Sequence, residues 1–68
     1  MVDTNGLRAE IARKGLAVQN VAKEIGIDKN TLYLKMKTGN FTLREATAIT
    51  ELLDLEDPAR IFFANQLS

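Results

Sequence analysis

The sequence predicts an all-α domain of five short helices, and three observations carry that expectation. Apolar residues recur three and four positions apart, as in Leu7/Ile11, Val21/Ala22/Ile25, Leu32/Met36 and Ile49/Leu53, the spacing that lines one face of a helix. Gly15, Gly26 and Gly39 each stand near the end of such a stripe, where helices commonly end through a left-handed residue. Residues that cap helices, Asp28, Thr42 and Asp57, stand where new helices should begin. Sixty-eight residues make one domain, 1–68. That length is near the lower limit for an unaided core, so every helix must contribute to it.

Met1–Gly6 reads as a short arm, frayed at its start, with Thr4 or Asn5 as the cap of the first helix. Its one charge is Asp3, which makes it a poor partner for nucleic acid. Leu7–Lys14 is the first helix, with Leu7 and Ile11 inward and Ala12 beside them. Arg13 and Lys14 place positive charge at its C-terminal end, which the helix dipole favours; Arg8, Arg13 and Lys14 can each reach a phosphate or stay as solvated surface charges. Gly15 ends it and Leu16 covers the core.

Residues 18–39 organise the rest. Val21, Ala22 and Ile25 share one face of a short helix, and Ala22 is small enough for a second helix to cross closely. Gly26 ends that helix, Ile27 pins the turn, and Asp28 caps the next helix. Leu32 and Met36 are the buried stripe of this second helix, which closes at Thr38-Gly39-Asn40. Phe41 to Ala46 then makes a helix start, with Thr42 and Glu45 as a capping box and Phe41 stapled onto Ala46. Leu43, Ala46, Ile49 and Leu53 are expected down the buried face of that helix, with Leu52 widening it. Asp57 caps the last helix and Pro58 fits its first turn. One face cannot bury Ile61, Phe62 and Phe63 equally, so Phe63 is expected at the surface. There it can join Leu67 in a dimer contact.

Subtracting the packed residues leaves Lys29, Asn30, Tyr33, Leu34 and Lys37 on the open face of the second helix of the pair. Lysine neutralises phosphate, and asparagine can pair with adenine through two hydrogen bonds. Leucine can touch a thymine methyl, and tyrosine can reach a phosphate or stack on a sugar. A helix so equipped fits the major groove of DNA.

The pattern Val21-Ala22, Ile25-Gly26-Ile27, Thr31-Leu32, the Gly39 turn and a further helix resembles the lambda-repressor-like, Cro-type helix-turn-helix family. More narrowly, TLYLKMKTGNFTLREATAI with a later IFF is similar to small regulators encoded by prophages of Gram-positive bacteria. The resemblance spans about Leu7 to Phe63. It implies a five-helix DNA-binding bundle, a recognition helix at 28–38, and repression by a protein that occupies operator DNA as a homodimer. It places Lys29, Asn30, Tyr33 and Leu34 at the bases, and Gln19, Thr31, Lys37 and Arg44 at the DNA backbone. Arg44 would act with the N–H groups that open its helix, at Leu43 and Arg44. Two departures stand out. Family members cap the first helix of the pair with Ser or Thr followed by a Gln, whereas this chain has Ala17-Val18 and a Gln19 one place late. Arg is common where Leu34 stands, which shifts readout toward apolar contact at one step.

Net charge is zero, but it is unevenly placed. From Leu7 to Arg44 eight basic residues face three acids, a net +5; from Glu45 onward Arg60 faces five acids, a net −4. One end is built to approach a polyanion. The chain has no Cys and no His, which removes disulfides, thiolate metal sites and the commonest general base. No Gly-rich phosphate loop or facing carboxylate pair stands out, so no enzyme, cofactor or metal centre is expected. No apolar run approaches the ~20 residues of a membrane span, and no small-molecule ligand is suggested. The expected setting is the bacterial cytoplasm, at the nucleoid. The alternative is a protein-interaction module on the same fold, antirepressor- or antitoxin-like. Neutral net charge, an exposed Leu34 and the Phe62-Phe63 pair leave room for it.

Overall fold

The computed structural model describes residues 2–63, in which all regular structure is helical. The helices are α1 (Thr4–Arg13), α2 (Val18–Ile25), α3 (Lys29–Thr38), α4 (Leu43–Leu53) and α5 (Pro58–Phe62).

Each helix sends apolar side chains to one shared core. Leu7 and Ile11 come from α1, Val21 and Ala22 from α2, Leu32 and Met36 from α3, Ile49 and Leu53 from α4, and Ile61 and Phe62 from α5. Phe41 closes it beside Phe62, ring edge to ring face, with centroids 5.4 Å apart and planes at 75°. No polar side chain is buried among the described residues. The core is therefore held by apolar burial, and the polar groups are free for caps and for the surface.

The helix ends are set by backbone geometry. Gly15 and Gly26 have φ of 72° and 82°, and Asp54 has φ of 52°. At each the chain makes the same pair of bonds. Leu16, Ile27 and Leu55 donate their N–H to carbonyls five residues back, on Ile11, Ala22 and Thr50. Gly15, Gly26 and Asp54 donate three residues back. These are Schellman closures, and the residue after each left-handed position is an apolar one that packs on the core. Ile27 thus pins the turn after α2 as its sequence position suggests. Only three residues, Gly26 to Asp28, separate α2 from α3.

Several expectations are corrected. The N-terminal arm is not frayed: Val2 is buried, and the Asp3 N–H donates to the Ile61 carbonyl at 2.7 Å. The cap of α1 is Asp3 rather than Thr4 or Asn5; its carboxylate accepts from the Gly6 N–H at 3.0 Å, and α1 starts three residues before Leu7. Leu43 does not share the buried face of α4; it is 79% exposed, because at 3.6 residues per turn it lies about 120° round the helix from Ile49 and about 80° from Leu53. Ala12 is likewise exposed. Asp57 precedes α5 without a side-chain capping bond, and Pro58 sits in the first turn as expected. Phe63 is exposed beside buried Ile61 and Phe62, as the three-in-a-row argument requires. Leu67, its suggested companion in a dimer, lies outside the described residues.

Candidate nucleic-acid interface

Helix α3 is fixed at both ends and along its back. At the front, the Asp28 carboxylate accepts from the Asn30 N–H at 2.8 Å, which satisfies one of the orphan donors of the first turn. Along the back, Leu32 and Met36 are fully buried. At the rear, Gly39 adopts φ of 75° and its N–H returns to the Lys35 carbonyl at 2.7 Å.

Two longer-range bonds add to this. The Thr4 hydroxyl donates to the Met36 carbonyl at 2.6 Å, from α1. The Lys35 ammonium lies 3.2 Å from Glu45 Oε1, in α4. That same oxygen accepts the Thr42 N–H at 2.9 Å while the Thr42 hydroxyl accepts the Glu45 N–H at 3.1 Å, completing the capping box. Burial works against the charged form of Glu45. The Thr42 N–H, the Lys35 ammonium and the Thr42 hydroxyl outweigh it and hold the carboxyl below its ordinary range.

What these anchors leave open is one continuous face. Lys29, Asn30, Thr31, Tyr33, Leu34, Lys37 and Thr38 are exposed, with Tyr33 at 41% and Leu34 at 61%. All four residues expected at the bases, Lys29, Asn30, Tyr33 and Leu34, therefore stand on the open side of α3. Of those expected at the backbone, Thr31 and Lys37 are on the same helix. Gln19 is exposed in the first turn of α2, and Arg44 is exposed in the first turn of α4. The Thr42 hydroxyl serves the Glu45 N–H, so the N–H groups of Leu43 and Arg44 stay without an intrahelical acceptor. Helix α3 has three lysines and no acid; Lys35 is committed to Glu45, and Lys29 and Lys37 carry the open positive charge.

Three pairings were not legible beforehand. Lys35 is a brace rather than a surface charge. Asn20 compensates for the missing Ser or Thr cap of α2: its side-chain oxygen accepts the Ala17 N–H at 2.8 Å, the return half of a capping box. Arg8 of α1 has its guanidinium 5.8 Å from the centroid of the Tyr33 ring. Asn20 carried a signal, an amide three residues after a bare cap. The other two are long-range pairs.

Helix α1 divides its basic residues. Arg13 pairs with Glu10 at 2.6 Å and lines a cleft of about 550 Å³ with Asp3, Glu56, Asp57 and Arg60. The cleft mixes both signs of charge. Among the described residues no group of His, Cys, Asp or Glu is placed to hold a metal ion. No helix among them is long and apolar enough to cross a membrane.

No family model matches the chain, and no curated protein or solved structure is significantly similar to it.

Proposed function

We propose that this chain is a sequence-specific DNA-binding transcriptional regulator, with α2 and α3 working as a helix-turn-helix of the lambda-repressor-like kind. The observation that carries the reading is the open face of α3. It presents two free lysines, an asparagine, a tyrosine and a leucine, without an acid, on a helix anchored at both ends. Such a helix enters the major groove with Lys29 and Asn30 leading, donating to base edges, while Leu34 meets a thymine methyl. Gln19 and Arg44 flank it at the phosphates, and Lys37 adds a contact that reads no sequence. Regulation follows from occupancy: a protein seated on a promoter excludes polymerase, and no chemistry is required. Two copies on a two-fold operator place their recognition helices about one turn of DNA apart, ~34–36 Å.

A second reading is favoured by one observation. Leu34 and Leu43 are both exposed, large and apolar, which suits a module whose partner is a protein, as in an antirepressor or an antitoxin. Selection of random duplex DNA by the purified protein at near-physiological salt separates the two. Enrichment of a two-fold motif with one-turn spacing is expected. Weak, salt-sensitive retention without any enriched motif would overturn the regulator reading and leave the protein-interaction module.

A further inference from the structure

Arg8 stands outside the helix pair, yet it touches the face assigned to DNA. Helix α1 packs on α2 and α5 and reaches α3 with two side chains one turn apart: Thr4 donates to the Met36 carbonyl, and Arg8 lies over the Tyr33 ring. Arg13, further along α1, pairs with Glu10 instead and faces the mixed-charge cleft.

The Arg8–Tyr33 contact uses the positive charge of the guanidinium against the ring face, and leaves its N–H donors unspent. Among the described residues Arg8 makes no hydrogen bond and no ion pair, and it is exposed. An arginine in that state has its direction fixed by an aromatic plate and its donor fork open, the form in which arginine takes a phosphate through two oxygens. Tyr33 gains as well: the cation over its ring face restrains the ring and does not use its hydroxyl.

We infer that Arg8 is a phosphate-binding and positioning residue of the DNA interface, extending that interface from α3 onto α1 and holding Tyr33 in place for its own contact. This rests on the reading of α3 as the DNA-facing helix. It goes further by assigning a role to one specific arginine of α1, and by coupling that role to Tyr33.

The test is a double-mutant cycle of Arg8→Ala and Tyr33→Leu. Affinity for a short duplex is measured at several salt concentrations beside the melting temperature of each variant. Arg8→Ala is expected to weaken binding about tenfold, the effect of losing one charge-assisted bond. It should also flatten the slope of log affinity against log salt by about one. Its melting temperature should stay near that of the parent, since Arg8 is exposed. Arg8→Lys should restore the slope. The double variant should lose less than the product of the single losses, because each residue needs the other. If the parent binds duplex but Arg8→Ala leaves affinity and slope unchanged, the inference is overturned and the reading of α3 stands. Losses that multiply independently would overturn the coupling to Tyr33. A parent that binds no duplex at any salt would overturn both.

Discussion

The Oε1 oxygen of Glu45 accepts from the Thr42 N–H and pairs with the Lys35 ammonium, so a single carboxylate starts α4 and braces α3. Its pKa is held below the ordinary carboxylate range, and that fixes the sign of its pH dependence. A carboxyl whose folded pKa is lower than its unfolded one stabilises the fold above the unfolded value, and loses that contribution as pH falls through the folded value. Glu45→Gln keeps an acceptor for the capping box but loses the charge facing Lys35. The variant should melt below the parent at neutral pH, and the gap should narrow as pH falls below the unfolded carboxylate value. A gap that is constant with pH would show that the charge contributes nothing. On the open face of α3 the residues divide by what they can read. Lys29→Ala or Asn30→Ala should each cost on the order of 1–3 kcal/mol at specific sites and relax base preference there. Lys37→Ala should weaken all sequences alike and flatten the salt slope by about one. Equal, sequence-blind losses from all three would refute the proposed orientation of the helix. Lys35 was not legible as a brace because its partner lies across the Gly39–Thr42 turn; helical spacing reports neighbours three or four apart and no others.

At the scale of elements, the ends of the helices were more legible than their faces. Gly15, Gly26 and Gly39 mark the left-handed positions that only glycine takes without steric cost, and all three are used. The fourth such position has no glycine: Asp54 adopts φ of 52° to close α4. Left-handed backbone costs a residue with a side chain roughly 1–2 kcal/mol, less for aspartate. Asp54→Gly should therefore stabilise the domain by up to about 1 kcal/mol, some 4–8 °C in a protein of this size. A calorimetric melt checks this; an unchanged or lower midpoint would mean that the Asp54 side chain offsets its own strain. The face of α4 was read less well. Ala46, Ile49 and Leu53 do turn toward the core, but Leu43, three residues before Ala46, is exposed. Successive three-residue steps drift by about 60° each around a helix of 3.6 residues per turn, so Leu43 and Ile49 do not share a face although each is three residues from Ala46. The N-terminal segment was missed for a different reason. Val2 carries no local sign of order; Asp3 is a capping residue type that holds the start of α1 through Gly6, and its N–H is bound by the Ile61 carbonyl on the last helix.

Across the whole molecule, charge and anchoring point the same way. The residues from Leu7 to Arg44 are net positive and include every side chain assigned to DNA, while the chain from Glu45 onward is net negative. A neutral protein with such a split has little non-specific attraction for a polyanion overall, but it has a preferred side. The acids Glu56 and Asp57 line the cleft with Arg13, and no residue of α3 lines it. The all-α class, the order of the helices and the open face of α3 were legible in the sequence, because burial of Leu32 and Met36 forces the remaining residues of that helix outward. Arg8, Arg13 and Lys14 were each legible as cations able to reach a phosphate, but which of them stands beside α3 was not, since that depends on a long-range contact. The measurement that bears most directly on the central claim is the map of backbone amide shifts when a short duplex is titrated into the labelled protein at low salt. Shifts are expected to centre on Lys29 to Lys37, with Gln19, Arg44 and Arg8 at the margins, and none around Leu55 to Arg60. Shifts centred on Leu43 or on α5, with α3 unmoved, would contradict that claim.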